Sequence, residues 1–212
     1  TVAARSGGEV ANNPRLRTAI DKGRAANIPN DTIDRAVKKG SGESGAENME
    51  ELVYQAYGPG GVAIIIELAT DNRNRTASEL RKMLERQNAK IDPSGSVLHK
   101  FKKRGQLIFE AEKVSEDAVT ELALELGAED VRNEGDSIVV LTEPSTFFEI
   151  KESFEKKGLK AEIAEVAMLP ELTVEVAAKD AESIGKLVSQ LEEHDDVLNV
   201  YTNHEAPAEE EA

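Results

Sequence analysis

The hydrophobic period changes in a fixed order between Gln106 and Met168: strand, helix, strand, strand, helix, strand. The first strand covers 107–109, and a helix from Ser115 turns Val119, Leu122, Ala123 and Leu126 inward at helical spacing. A short strand near Val131, a turn over 133–136 and a strand over 137–141 follow. A second helix, opened by Thr146 with Glu149 as a capping box, buries Phe147, Ile150 and Phe154 and stops at Gly158. A strand over 161–168 completes the set. Strand–helix–strand–strand–helix–strand is the ferredoxin-like arrangement. It accounts for residues 106–170 as a unit in their own right.

The flanking segments divide differently. Residues 1–45 read as helical. Asn13 before Pro14 is a helix start, and Leu16, Ala19, Ile20 and Gly23 share one face. A second start at Asn30 and Asp31 puts Ile33, Ala36 and Val37 inward, and Gly40 precedes a flexible linker over 41–45. Strands over 52–57 and 62–69 flank Gly58-Pro59-Gly60-Gly61 as a hairpin. A polar loop over 71–75 leads to a helix opened by Thr76 and Glu79, with Ala77, Leu80, Met83 and Leu84 as its core face. Another strand is predicted over 95–101. After Pro170 come a strand over 172–177, a helix carrying Ile184, Leu187, Val188 and Leu191, and a strand over 197–202. These are too few to bury a core alone, so they are expected to return to the sheet begun at 46–105. The predicted class is α+β: an N-terminal helical domain (1–45), a central α/β domain (46–105 with 171–204), an inserted ferredoxin-like domain (106–170), and a disordered acidic tail (205–212).

Charge is distributed unevenly over these parts. The 212-residue chain carries a net −15. Residues 1–41 hold eight Lys/Arg against four Asp/Glu, residues 42–105 hold ten against nine, and residues 106–212 hold eight against twenty-eight. A polyanionic partner is therefore expected at the first half, and the second half would repel it. No run of the sequence approaches the ~18–20 apolar residues of a membrane span. With no cysteine, the chain has neither disulfides nor thiol chemistry, which suits a reducing cytosol. His99, His194 and His204 are scattered, and no nucleophile elbow, dinucleotide fingerprint or metal-spaced cluster is legible. Catalysis, a cofactor and a metal are not expected.

Three features can hold an anion. Asp71-Asn72-Arg73-Asn74-Arg75 lies between a strand and a helix, where free amides and the helix dipole favour negative charge and the arginines can grip phosphate oxygens. An ordinary capping loop, with the arginines paired to Asp71 or Glu79, explains the same residues equally well. The turn of Tyr57, Gly58, Pro59, Gly60 and Gly61 permits close approach by a partner backbone, although a tight turn needs glycine in any case. The helices of 13–39 expose Arg15, Arg17, Lys22, Arg24, Arg35, Lys38 and Lys39, either as a phosphate-contacting surface or as a solvated face. The run Lys100, Lys102, Lys103, Arg104, Gly105 is expected to be a hairpin turn.

Taken in order, Asn13-Pro14-Arg15-Leu16-Arg17, Ile28-Pro29, Ile33-Asp34-Arg35-Ala36, Tyr57-Gly58-Pro59-Gly60-Gly61, Asp71-Asn72-Arg73-Asn74-Arg75-Thr76 and Gly95-Ser96-Val97 closely resemble the YebC/PmpR family over essentially the whole chain. That family includes the mitochondrial translational activator of cytochrome c oxidase. The resemblance implies three domains and a cytoplasmic, non-enzymatic regulator of gene expression. Its implied partner is nucleic acid, either rRNA or tRNA in the ribosome, where it would relieve stalling at proline-rich sequences, or promoter DNA. Ribosomal proteins are implied as further partners, and a protein–protein adaptor is the competing class. The family's Lys-rich start with a Ser-Lys-Trp stretch has no counterpart here, which suggests a truncated basic end. Leu98-His99-Lys100-Phe101 also lacks the aromatic common before the Phe.

Overall fold

The computed structural model describes residues 3–4, 8–25, 27–41 and 49–205, without the side chains of Pro14, Lys22, Ala25 and Lys39. The expected linker beyond Ser41 and the tail beyond Glu205 lie outside the described residues. The fold is α+β. It divides into two compact units, Thr1–Tyr54, Ile66–Ile91, Ser183–Val200 and Gln55–Ile65, Asp92–Glu182, Tyr201–Ala212.

In the first unit, α1 (Pro14–Ala25) and α2 (Asn30–Gly40) form a helical pair. Asn13 caps α1 by accepting the Leu16 amide at 3.0 Å, and its own amide donates to the Ala3 carbonyl at 2.7 Å. Leu16 and Ile20 of α1 cluster with Ala3 and Ala4, and Ile33 and Val37 of α2 pack against them. Gly23 lies against α2: a Cβ there would make ordinary contact with Ile33 Cδ1 at 3.4 Å. The start of α2 differs from expectation. Pro29 occupies the cap position and no side chain caps the helix, so Asn30 and Asp31 are its first residues.

The hairpin is formed by β1 (Glu50–Tyr57) and β2 (Ala63–Thr70), joined by a 3-10 turn over Pro59–Gly61. Then come α3 (Arg73–Arg86), β3 (Lys90–Ile91), α6 (Ala178–Glu192) and β9 (Val197–Thr202), and one sheet has the strand order β3-β1-β2-β9. β9 thus returns beside β2. Leu80 and Leu84 of α3, and Ile184, Leu187 and Leu191 of α6, are buried, as their helical spacing requires. The expected strand over 172–177 shrinks to β8 (Val174–Glu175). It pairs in parallel with β10 (His204–Glu205), so Glu205, expected to begin the tail, lies in a strand.

The second unit holds the strand–helix–strand–strand–helix–strand set: β4 (Phe101–Glu110), α4 (Glu116–Glu125), β5 (Asp130–Asn133), β6 (Ser137–Thr142), α5 (Phe147–Lys156) and β7 (Ile163–Pro170). The sheet order is β5-β6-β4-β7, with every pair antiparallel. Leu107 and Phe109 of β4 alternate inward with Ile138 and Val140 of β6. They meet Val119, Leu122 and Ala123 of α4 and Phe147, Ile150 and Phe154 of α5.

Two expectations fail at the start of β4. Residues 95–101 are not a strand, since a 3-10 turn covers Leu98–Lys100. From Lys102 to Gly105 the basic run is not a hairpin turn but lies in the first half of β4, which pairs with β7 from Phe101 opposite Pro170 onward. Gly105 signals close packing rather than a turn: a Cβ would fall 2.8 Å from Phe147 Cβ and would also collide with Thr142 Oγ1. The Thr146–Glu149 box does not form either. The Thr146 hydroxyl donates to the Glu143 carbonyl at 3.2 Å, leaving α5 without a side-chain cap.

Candidate nucleic-acid interface

The predicted loop over 71–75 is mostly helix. Asn72 is the cap of α3, its Oδ1 accepting the Arg75 amide at 3.1 Å, so Arg73, Asn74 and Arg75 form the first turn. Asn72 and not Thr76 takes this role because Thr76 faces inward. The Thr76 hydroxyl is fully buried, 2.8 Å from Thr70 Oγ1 and 2.5 Å from Asp196 Oδ2. Glu79 does not close a box; it lies 2.9 Å from His194 Nε2. The His194 Nδ1 accepts the Asp196 amide at 3.1 Å, which leaves the proton on Nε2 to donate to Glu79.

This geometry separates the two arginines. Arg75 Nη2 donates to Asp71 Oδ1 and to Asp196 Oδ2, both at 2.9 Å. The bond to Asp196 raises the Arg75 pKa further above its ordinary value. Asp71 is therefore the partner foreseen in the capping-loop alternative, and Glu79 is not. The other terminal nitrogen of Arg75 and its Nε have no partner among the described residues. Arg73 is exposed and makes no ion pair with any described residue, and the amides of Arg73 and Asn74 are free in the same sense. Asp196 already places one carboxylate at the positive end of α3. A second anion would therefore meet Arg73, two amides and the unused edge of Arg75. Beside this turn, a cleft of about 710 Å³ is lined by Arg75, Glu79, Met83, Arg86 and residues 190 and 193–196, and its four carboxylates do not favour an anion.

Burial works against the charge of Asp196, but bonds from Thr76, Arg75 and Thr70 outweigh it and hold its pKa below the ordinary 3.8. Stability from a depressed carboxylate is complete above the unfolded pKa and lost as pH falls through the folded one. Between about pH 4 and that lower value, the wild type is expected to lose stability more steeply than Asp196→Asn. Denaturant titrations at stepped pH check this, and parallel curves would count against it.

The described helical cations remain on the surface. Arg15 pairs with Glu51 at 3.3 Å, Arg17 donates to the Ala11 carbonyl at 3.2 Å, and Arg24 reaches Asn30 Oδ1 at 3.4 Å. Arg35 folds back on the Asp31 carbonyl at 3.1 Å, and Lys38 is exposed with no ion pair to a described residue. The side chains of Lys22 and Lys39 lie outside the described residues.

The glycine turn is built tightly in the second unit. Gly60 has φ 69° and its Cβ would lie 2.9 Å from Val176 Cγ1, whereas Gly61 has φ 79° and open space around it. Tyr57 is tied down beside the turn. Its hydroxyl meets Ser96 Oγ at 3.0 Å, and Lys100 Nζ lies 5.5 Å from its ring centroid. The Asp92 carboxylate, held far below its usual range by Ser94 and then Ser96, fixes that neighbouring loop. Gly61→Ala is expected to cost about 1 kcal/mol through backbone strain alone. Gly60→Ala should cost clearly more, because strain and a clash with Val176 combine. Chemical denaturation of both variants checks the order.

Among the described residues, no group of three His, Asp or Glu could hold a metal, and no helix is long and apolar enough to cross a membrane. Sequence reasoning missed Asp196 and His194, whose partners on α3 lie 120 and 115 residues away in the chain.

Comparison with known proteins adds to this geometry. The family model described as the TACO1/YebC protein N-terminal domain matches residues 1–43, and the model of the TACO1/YebC second and third domain matches residues 49–204. A relative from Acidithiobacillus ferrooxidans, named "Probable transcriptional regulatory protein", is 48% identical over 213 residues, covering 100% of this chain and 85% of its own. A relative of the same name from Treponema denticola is 46% identical, covering 98% of this chain and 84% of its own. The crystal structure of a conserved hypothetical protein from Aquifex aeolicus superimposes with a TM-score of 0.86 at 41% identity, over 100% of this chain and 88% of that one.

Proposed function

The chain belongs to the TACO1/YebC family, and from that premise we propose that it regulates gene expression by binding nucleic acid, without catalysing a reaction. The observation that carries this reading is the first turn of α3, where Arg73 and two amides have no partner among the described residues beside a half-engaged Arg75. Phosphate oxygens satisfy that set of donors. Arg15, Arg17, Lys22, Arg24, Arg35, Lys38 and Lys39 supply further phosphate contacts in this reading, and the turn at Tyr57–Gly61 receives a partner backbone. The division into a helical domain, a central domain and an inserted ferredoxin-like domain belongs to the same proposal.

The physiological target in this reading is the cytoplasmic ribosome, where the protein relieves stalling at proline-rich sequences. The twenty-eight carboxylates of residues 106–212 against eight cations support it. A long duplex would be repelled by them, whereas a ribosomal site offers basic proteins as well as RNA. The names of the bacterial relatives favour a second reading, a transcriptional regulator on promoter DNA. A purified translation system programmed with proline-rich and control templates separates the two. Selective rescue of the proline-rich template is the expected result. No rescue, together with a site-specific footprint on promoter DNA, would replace the first reading with the second.

A further inference from the structure

Asp196 ends the loop between α6 and β9, and the fold fixes its backbone and its side chain alike. Its amide donates to His194 Nδ1 at 3.1 Å, and His194 is held in turn by Glu79. Its carbonyl accepts the Ala69 amide of β2 at 2.8 Å, and its carboxylate accepts the Thr76 hydroxyl at 2.5 Å. The same carboxylate accepts Arg75 Nη2 at 2.9 Å, and here the two partners differ: the Asp196 side chain is 13% exposed and that of Arg75 45%. A buried, fully tethered carboxylate therefore meets a long side chain that is half in water.

The fold has little need of this ion pair. The two backbone bonds and the Thr76 hydroxyl already tie the segment to β2 and α3, and a pair with a half-exposed arginine adds little to stability. For Arg75 the bond matters more. A free arginine loses rotamer freedom when it grips a ligand, and one held beforehand does not lose it again. Asp196, with Asp71 on the same nitrogen at 2.9 Å, holds the guanidinium by Nη2, while Nε and the other terminal nitrogen keep no partner among the described residues. Asp71, at 39% exposed, is the looser of the two anchors. By charge alone, however, a carboxylate in this place repels a phosphate. Removing it should tighten binding if Asp196 acts only as a charge, and weaken binding if it acts through Arg75.

We infer that Asp196 is a positioning residue for RNA binding: it presets the Arg75 guanidinium so that the remaining N–H groups meet a phosphate of ribosomal RNA. The inference rests on the proposed reading of the first turn of α3 and of the ribosome as its target. Asp196 touches no RNA in this account and acts through Arg75 alone.

The test measures binding of the full chain to purified ribosomes in a potassium chloride titration at fixed magnesium, for the wild type, Asp196→Ala, Arg75→Ala and the double variant. One phosphate contact contributes about 0.7–0.9 to the slope of log affinity against log salt, or roughly 5- to 8-fold in affinity near 0.1 M salt. Asp196→Ala is expected to lose up to that amount, although it removes a negative charge. In the Arg75→Ala background the same replacement should cost nothing further. A merely structural role would lower the melting temperature and leave the slope where it was. Binding by Asp196→Ala as tight as wild type or tighter, or a further loss on top of Arg75→Ala, would overturn the inference. Asp196→Asn keeps the shape and one acceptor but gives up the charge-assisted bond, so it provides the reading if the alanine variant does not fold. It should bind between wild type and Arg75→Ala, and binding at or above the wild-type level would also overturn the inference. An Arg75→Ala variant that binds as the wild type does, or a wild type that does not bind ribosomes, would remove the proposed reading itself and the inference with it.

Discussion

Replacing Arg73 and Arg75 together by alanine is expected to weaken nucleic-acid binding by roughly 20- to 60-fold near 0.1 M salt, the contribution of two phosphate contacts through counterion release. The two positions should not behave alike. Arg73 makes no ion pair with a described residue, so Arg73→Ala removes a contact and leaves the fold alone. Arg75 also bridges Asp71 and Asp196, so Arg75→Ala leaves Asp196, a mostly buried carboxylate, with Thr76 and without its cation. Some loss of thermal stability should accompany that variant only. Filter binding or fluorescence anisotropy beside a melting curve distinguishes the two effects. A double variant that binds as the wild type does would remove the first turn of α3 from the interface.

The largest effect on stability is expected in the ferredoxin-like core. Phe154 of α5 is buried, with its ring centroid 5.1 Å from that of Phe109 on β4 at a 44° tilt. Truncation to alanine removes a ring from a packed site and leaves a cavity that its neighbours fill only in part, a cost of about 3–5 kcal/mol. At about 2–4 °C per kcal/mol for a chain of this size, the melting temperature should fall by roughly 10 °C. Phe154→Leu, which keeps most of the volume, should fall between the two. A Phe154→Ala shift within about 2 °C of wild type would mean that this core is not packed as described.

The elements that were legible in the sequence are those whose pattern is local. Asn13-Pro14 opens α1, Phe147, Ile150 and Phe154 mark the buried face of α5, and Gly158 with φ 79° ends that helix. The failures share a cause. Thr76 reads as a cap until Asp196 is brought beneath it, and Glu79 reads as its partner until His194 arrives. The run 100–105 reads as a turn because adjacent Lys102 and Lys103 are both exposed, which hides the alternation that pairing with β7 imposes. In each case the deciding partner is far away in the chain, where neither periodicity nor capping rules reach. The candidate site was legible in its residue types but not in its wiring. Arg73 and Arg75 look equivalent in sequence, but Asp71 and Asp196 half-commit Arg75, whereas Arg73 has no ion pair among the described residues.

The most direct measurement is the affinity of the full chain for purified ribosomes, and separately for duplex DNA, as a function of salt. A linear fall of log affinity against log salt, steeper and starting from tighter binding on ribosomes than on DNA, is the expected result. Binding that does not change with salt on either target would contradict a phosphate-contacting role for this protein.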